Sequence, residues 1–327
     1  MEPTTSDVHV NGPLTNISIA FMQGEDAFIA NKVFPNIPVT KQSDLYFTYD
    51  RGEFNRDDMK ERAPGTEAEG GGYTMNADAS YYARQYSFKH DIPDPVRANA
   101  DVPHNPDRAA TMFVSRKGLI RRERIFATNY FSTGLWTYGK VGASSASGTD
   151  VKYWSDTTST PITDVRLGKQ RVLESTGFEP NTLILGRKVY DVLCDHPSFL
   201  DRIKYGQDNA VPARVTRAAM AQLFEVDNVY VMNAIYNTAA KGQTASHSFI
   251  GGNHALLMYV TPTPDIMTPT AGYTFSWTGM FGNSQLGTRI RQYRMESIQS
   301  DRVEIDMCFD LKLVSADLGY FFTSVIQ

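Results

Sequence analysis

The sequence is short of the features that usually announce a chemistry. It has only two cysteines, Cys194 and Cys308, far apart and in unrelated contexts. Neither a disulfide framework nor a thiolate metal site follows, and a reducing compartment is the simpler setting. An excess of one charge is also lacking: 32 Lys and Arg against 36 Asp and Glu leave a net charge of −4. Dedicated nucleic-acid binding would need a strongly basic face. Long apolar runs are absent. "ALLMYV" and "LGYFFTSVI" fall well short of the ~20 residues that a membrane helix needs. The opening "MEPTTSDVHV" has neither the basic nor the apolar region of a signal peptide. The sequence has no internal repeats.

Catalytic signatures are missing as well. "GLWTYGKV", residues 134–141, nearly spells a phosphate-binding loop. Val141 stands where a Ser or Thr would hold magnesium, bulky residues crowd the loop, and a helix precedes it instead of a strand. No G-x-S-x-G elbow occurs. The six histidines, His9, His90, His104, His196, His247 and His254, include no pair at metal-ligand spacing. Asp57 and Asp58 are adjacent, so on a strand they point to opposite faces and make a poor acid–base pair. No catalytic, cofactor or metal residue is expected, and the chain does not read as an enzyme.

What is present is a core and an unusual loop. The chain is 41% hydrophobic and 12% aromatic, enough for a packed interior and for large buried or intersubunit surfaces. Residues 1–43 read as an arm, broken by Pro3, Pro13, Pro35 and Pro38, with Phe21, Phe28 and Phe34 as apolar anchors on the body or on a neighbour. In "DLYFTYDRGEF", Leu45, Phe47 and Tyr49 alternate with polar residues, the period of a half-buried strand. "YTMNADASYYARQYSFKHDIP" continues the pattern, with Tyr82, Tyr86, Phe88 and His90 on one face. The two make a long hairpin over 44–92. Between them, Arg51, Glu53, Arg56, Asp57, Asp58, Lys60, Glu61, Arg62, Glu67 and Glu69 lead to Gly70, Gly71 and Gly72. Carboxylates flank these glycines and would repel phosphate. A hairpin of this size is marginal alone in water, so it needs a partner surface.

Asn105 and Pro106 form a helix start. The segment that follows is the longest helical stretch, with Phe113, Ile120 and Ala127 as an apolar stripe at seven-residue spacing. Arg116, Lys117, Arg121, Arg122 and Arg124 lie largely off that stripe. Gly118 weakens the middle. A second helix stops at Gly177. From 178 to 270, strand-like and helical patterns alternate as in a compact α/β unit. The last stretch, 271–327, returns to strands.

The order of parts resembles the major capsid proteins of tailed bacteriophages, with the Hong Kong 97 fold. The resemblance rests on "AFIANKVFPNIPVTKQSDLYFTYDRGEFNRDDMKERAPGTEAEGGGY", "PNTLILGRKVYDVLCDHP", "LFEVDNVYVMNAIYN" and "GNHALLMYVTPTP…AGYTFSW". It covers nearly the whole chain and comes from order and texture, since no part is a catalytic motif. It implies an α+β fold with an N-terminal arm (1–43), an extended hairpin loop (44–92), a peripheral domain with a spine helix (93–177), an inserted axial domain (178–270) and return strands (271–327). It implies self-assembly into hexamers and pentamers of an icosahedral head enclosing double-stranded DNA. Scaffold, portal and decoration proteins are the other implied partners. The protein would be part of the virion and assemble in the host cytoplasm, with no cofactor and no membrane. Some relatives carry a helical scaffolding segment ahead of the arm that a protease removes; with the arm so near the start, none is expected to be encoded here unless the sequence is already processed. Under this reading the hairpin lies over a neighbouring subunit. Its charges, from Arg56 to Glu69, would then select partner and register. The Arg116–Arg124 face would meet either packaged DNA or acidic residues such as Glu67 and Glu69 of a neighbour. A bacterial nanocompartment shell shares the fold and is the alternative; an α/β enzyme would need a convergent polar pocket that the sequence does not offer.

Overall fold

The computed structural model describes residues 23–49, 51–100, 105–206, 215–264, 268–279 and 287–327. Two sheets organise them. The first has five strands built around Ser300–Leu313. Thr288–Met295 pairs along one edge of that strand, from Ser300 to Met307. On the other edge, Arg84–Pro93 pairs with Ser300–Phe309. Gly272–Trp277 pairs with Phe309–Leu313. Asn36–Val39 adds a parallel strand beside Gly272–Trp277.

The long helix Pro106–Tyr130 lies on this sheet. The Asn105 side chain caps it, accepting the N–H groups of Asp107 (3.0 Å) and Arg108 (3.1 Å). The buried stripe is not the one expected. Ala110, Val114, Gly118, Arg122, Phe126 and Tyr130 recur at four-residue spacing, with Glu123 beside them. Phe113 is 41% exposed, and Ile120 and Ala127 are half-buried. Gly118 explains the shift. A Cβ there would sit 2.9 Å from Met307 Sδ and 3.2 Å from Ile305 Cδ1, so the missing side chain lets helix and strand approach.

The six-stranded sheet runs in the order Asp150–Lys152, Tyr138–Ala143, Gly319–Thr323, Ala255–Met258, Thr182–Gly186, Asn228–Met232. Helices Pro161–Thr176, Arg187–Cys194, Pro197–Gly206 and Arg217–Phe224 accompany it. Gly177 (φ +77°) closes the first of these in the left-handed conformation, its N–H donating to Leu173 O at 2.8 Å. The sheet is buried on both faces. Ile184, Leu256, Met258 and Phe321 join the core beneath the long helix, while Leu183, Leu185, Leu257 and Phe322 join a second core with Trp154, Val172, Leu193 and Phe199. Burial on both faces is why "TLILG" and "ALLM" read as unbroken apolar runs. The α/β unit is therefore assembled from more than residues 178–270. It also takes strands from 138–152 and 319–323, through pairings that no local alternation reveals.

The segment from Gln23 onward packs on the body. Phe28 and Phe34 are buried in their own subunit, at 6% and 0% exposure. Phe34 contacts Tyr130 and Phe126, with ring centroids 4.9 and 5.4 Å apart. Phe21 lies outside the described residues.

Candidate assembly surfaces

The expected hairpin is present but shorter than the sequence pattern. Ser43–Tyr49 pairs antiparallel with Met75–Tyr82, with a register shift between Tyr46 and Thr48. The second strand ends there. Ala83, fully buried, donates its N–H to Gln42 O at 2.8 Å, and Arg84–Pro93 then belongs to the five-stranded sheet. One unbroken alternation thus conceals a change of partner.

At its base the hairpin is tied to the body. Tyr81 stacks on Phe275 at 4.5 Å and Tyr46 lies 5.5 Å from the same ring. Tyr82 N–H donates to Asp310 Oδ2 at 3.0 Å. Beyond the base the subunit leaves it uncovered. Leu45 and Phe47, expected on a half-buried face, are 58% and 55% exposed. None of the described residues covers that face. At the neck, Phe54 ends the short helix Arg51–Phe54 and meets Tyr73 and Tyr49, with centroids 5.4 and 6.0 Å away. Glu53 accepts the Thr74 hydroxyl at 2.9 Å and the Thr74 N–H. Phe54, Tyr73, Met75 and Tyr82 are nonetheless half or more exposed, and Met59 is 93% exposed.

All eight charged candidates of the loop are exposed: Arg56, Asp57, Asp58, Lys60, Glu61, Arg62, Glu67 and Glu69. Lys60 pairs with Glu69 at 2.9 Å. Arg62 Nε donates to Thr66 O at 2.6 Å. Exposed pairs of this kind contribute little stability. They shape the loop and leave it available.

The basic residues of the long helix do not form one open patch. Lys117 lies over Phe113 (5.3 Å), Arg121 over Tyr86 (5.1 Å) and Arg124 over Tyr236 (4.6 Å). Arg116 Nη2 is 3.9 Å from Glu25. Arg122 is not on that face at all. Its guanidinium is buried 4.4 Å over Phe309, with Nη1 donating to Asn31, and burial pushes its pKa down to about 10. Neither DNA nor a neighbour can reach Arg122 without opening the subunit. The exposed aromatics Phe88 and Phe113, 5.7 Å apart, adjoin this face; the sequence placed them on a strand face and in the helix stripe, and not among the interface candidates.

The strand surface away from the long helix carries a charge network. Arg302 donates to Asp91 at 2.6 and 3.1 Å, and Arg294 to Asp94. Burial alone would raise the Asp306 carboxyl. Donors from Ser87 (2.6 Å) and Gln85 (3.3 Å), with the guanidiniums of Arg291 and Arg289, hold it below the ordinary range instead.

The nearest approach to a catalytic pair is Ser159 Oγ, 3.1 Å from His196 Nε2. His196 Nδ1 accepts the Ser198 N–H at 3.2 Å, so the ring proton sits on Nε2, which is also 3.2 Å from the Asp156 carbonyl. A nitrogen that donates cannot take the serine proton. Both side chains are buried, and the pair closes a turn. Among the described residues no group of His, Cys, Asp or Glu could hold a metal ion, and no helix is long and apolar enough to cross a membrane.

Known proteins agree with this architecture. Residues 147–271 match the family model described as Phage major capsid protein E. The major capsid protein of Pseudomonas phage JBD67 is 27% identical over 320 residues, which is 97% of each chain. A phage-related protein from Bordetella bronchiseptica RB50 superposes with a TM-score of 0.69 at 20% identity, covering 93% of this chain and 94% of that one. The capsid of cyanophage P-SCSP1u gives 0.60 at 12% identity, covering 99% and 95%. The mixed helix-and-sheet fold is that of phage capsid subunits, and over nearly its full length the chain is similar to phage major capsid proteins.

Proposed function

We propose that this subunit tiles a closed icosahedral head, as hexamers and pentamers around double-stranded DNA, in the Hong Kong 97 arrangement. The segment before Asn36 serves as the N-terminal arm. The hairpin from Ser43 to Tyr82 is the extended loop, Pro106–Tyr130 the spine helix of the peripheral domain, and the six-stranded sheet with its helices the axial domain. One observation carries the reading: Leu45, Phe47, Phe54, Met59, Tyr73, Met75 and Tyr82 are all exposed on a single protruding hairpin. A soluble monomer rarely leaves such an apolar surface open, and a two-stranded hairpin does not pack itself. A neighbouring subunit is the cover. Scaffold, portal and decoration proteins complete the head, which assembles in the host cytoplasm and becomes part of the virion.

Electron microscopy of particles from infected or expressing cells tests this. Closed shells, with nucleic acid inside when packaging proteins are present, are expected. Shells filled with an enzyme cargo would replace the phage-head reading by a nanocompartment, and a protein that stays monomeric at high concentration would end both.

The exposed cations of the long helix, Lys117, Arg121 and Arg124, face phosphates of the packaged genome, with contacts independent of sequence. Lys117→Gln with Arg121→Gln should change subunit stability by no more than about 0.5 kcal/mol, as surface changes do. Empty shells should form normally while filled particles lose stability. Weakened empty shells that recover at high salt would instead place these cations against acidic residues such as Glu67 and Glu69 of a neighbour.

A further inference from the structure

The N-terminal segment is held to the body at a few points. The Gln23 side chain donates to Ile235 O at 2.7 Å and accepts the Ile235 N–H at 2.8 Å. Six residues on, Glu123 Oε2 accepts the N–H groups of Ile29 (3.0 Å) and Ala30 (2.9 Å). These are donors at the start of the one-turn helix Ala30–Val33, where no backbone carbonyl is available to them. A carboxylate from the long helix therefore supplies their acceptor.

That carboxylate is poorly provided for. Glu123 has no solvent exposure, and its Oε1 has no hydrogen-bond partner among the described residues. The adjacent Arg122 is buried too. Its Nη1 donates to Asn31, but Nε and Nη2 have no hydrogen-bond partner among the described residues. Two buried ionisable groups side by side, each incompletely satisfied, make the charged docked state costly. Burial pushes the Glu123 carboxyl up to about 7, against the opposing pull of the Ala30 and Ile29 donors.

We propose that Glu123 is a proton-sensitive latch: protonated, it holds the segment around Ile29–Phe34 on the long helix, and ionised, it favours release of that segment into water. The direction follows from linkage. A released carboxyl takes its proton near 4.5 and the docked one near 7, so the docked form binds more protons between those values. Docking is tightest below that window, weakens as pH rises through it, and levels off above it. The charged groups on the surrounding elements include Arg116, Arg122 and Arg124 of the helix, Glu25, Asp26 and Lys32 of the segment, and Asp310 and Lys312 of the central strand. His254, against Phe131 and Phe321, is the histidine of this core, and its burial lowers its pKa.

Hydrogen exchange on the unassembled subunit tests the latch apart from any role in a shell. After correction for intrinsic rates, protection of the Ile29 and Ala30 amides should fall by up to about tenfold per pH unit from about pH 5 to about pH 7, then flatten. Amides in the middle of the long helix should not follow. Glu123→Gln keeps an acceptor oxygen without titrating, and should give a flat profile. A flat wild-type profile, or the same slope in Glu123→Gln, overturns the proposal. If that variant does not fold, carbon-13 titration of the wild-type glutamate carboxyls decides: a Glu123 midpoint near 4.5 would also overturn it.

Discussion

Replacing Phe34 with alanine should destabilise the isolated subunit by about 3–5 kcal/mol, the range for emptying a fully buried aromatic site. The side chain has no exposure and lies in the angle between Phe126 and Tyr130. Its surroundings cannot collapse easily. On one side is the long helix. On the other is Gly272, where a Cβ would already be 2.6 Å from the Phe34 ring. The Phe34 carbonyl also accepts the Thr274 hydroxyl at 3.0 Å, where the parallel strand Asn36–Val39 begins. Loss of the ring should loosen that strand as well. Urea unfolding of unassembled subunits is the measurement, because shell formation would add mass-action stability to both proteins. An alanine variant with the wild-type midpoint would show that the arm docks without contributing to the fold. The sequence left the arm's anchors open between the body and a neighbour, and burial puts Phe28 and Phe34 on the body. Phe28 and Phe34 are core residues of their own subunit, so changing both to serine should damage folding at least as much as association.

Local signals in the sequence translated well into local structure. The Asn105–Pro106 start and the Gly177 stop bound real helices, because capping chemistry acts within one turn. The buried stripe of the long helix did not. It contains Gly118 and Arg122, which a count of apolar residues reads as interruptions. The first is buried for its lack of a side chain, and the second because Phe309 and Asn31 receive its guanidinium. Non-local pairing was the other blind spot. Gly319–Thr323 completes a sheet whose other members start at Tyr138, and Met75–Pro93 alternates smoothly although Ala83 divides it between two sheets. At the candidate interface, alternation at Leu45 and Phe47 marks an apolar strand face, which the described residues leave exposed. It carried no information on whose residues cover it, since periodicity is the same for an intramolecular and an intermolecular partner.

Deleting residues 55–72 and joining Phe54 to Tyr73 through a short turn should leave the subunit folded and abolish closed shells. Every residue in that stretch is exposed, so no core contact is lost. Its polar contacts, Lys60 to Glu69 and Arg62 to Thr66, are internal and leave with it. The neck is already closed, with the Phe54 and Tyr73 rings 5.4 Å apart and Glu53 bonded to Thr74. Shortening a flexible loop gains about 0.6 kcal/mol per halving of its length, so the change in subunit stability should be small. Assembly stands differently. The deleted loop holds Met59 and all eight charged candidates, whose complementarity to a neighbour would set register and exclude wrong contacts. Circular dichroism and urea unfolding should therefore match the wild type, while sedimentation and electron microscopy should show subunits or open sheets in place of shells. Normal shells from the deletion variant would exclude the loop tip from the interface. Leu45→Ser with Phe47→Ser would then ask whether the stem alone makes the contact, since those two side chains remain exposed in the shortened hairpin and, being uncovered in the subunit, can be replaced without opening its core.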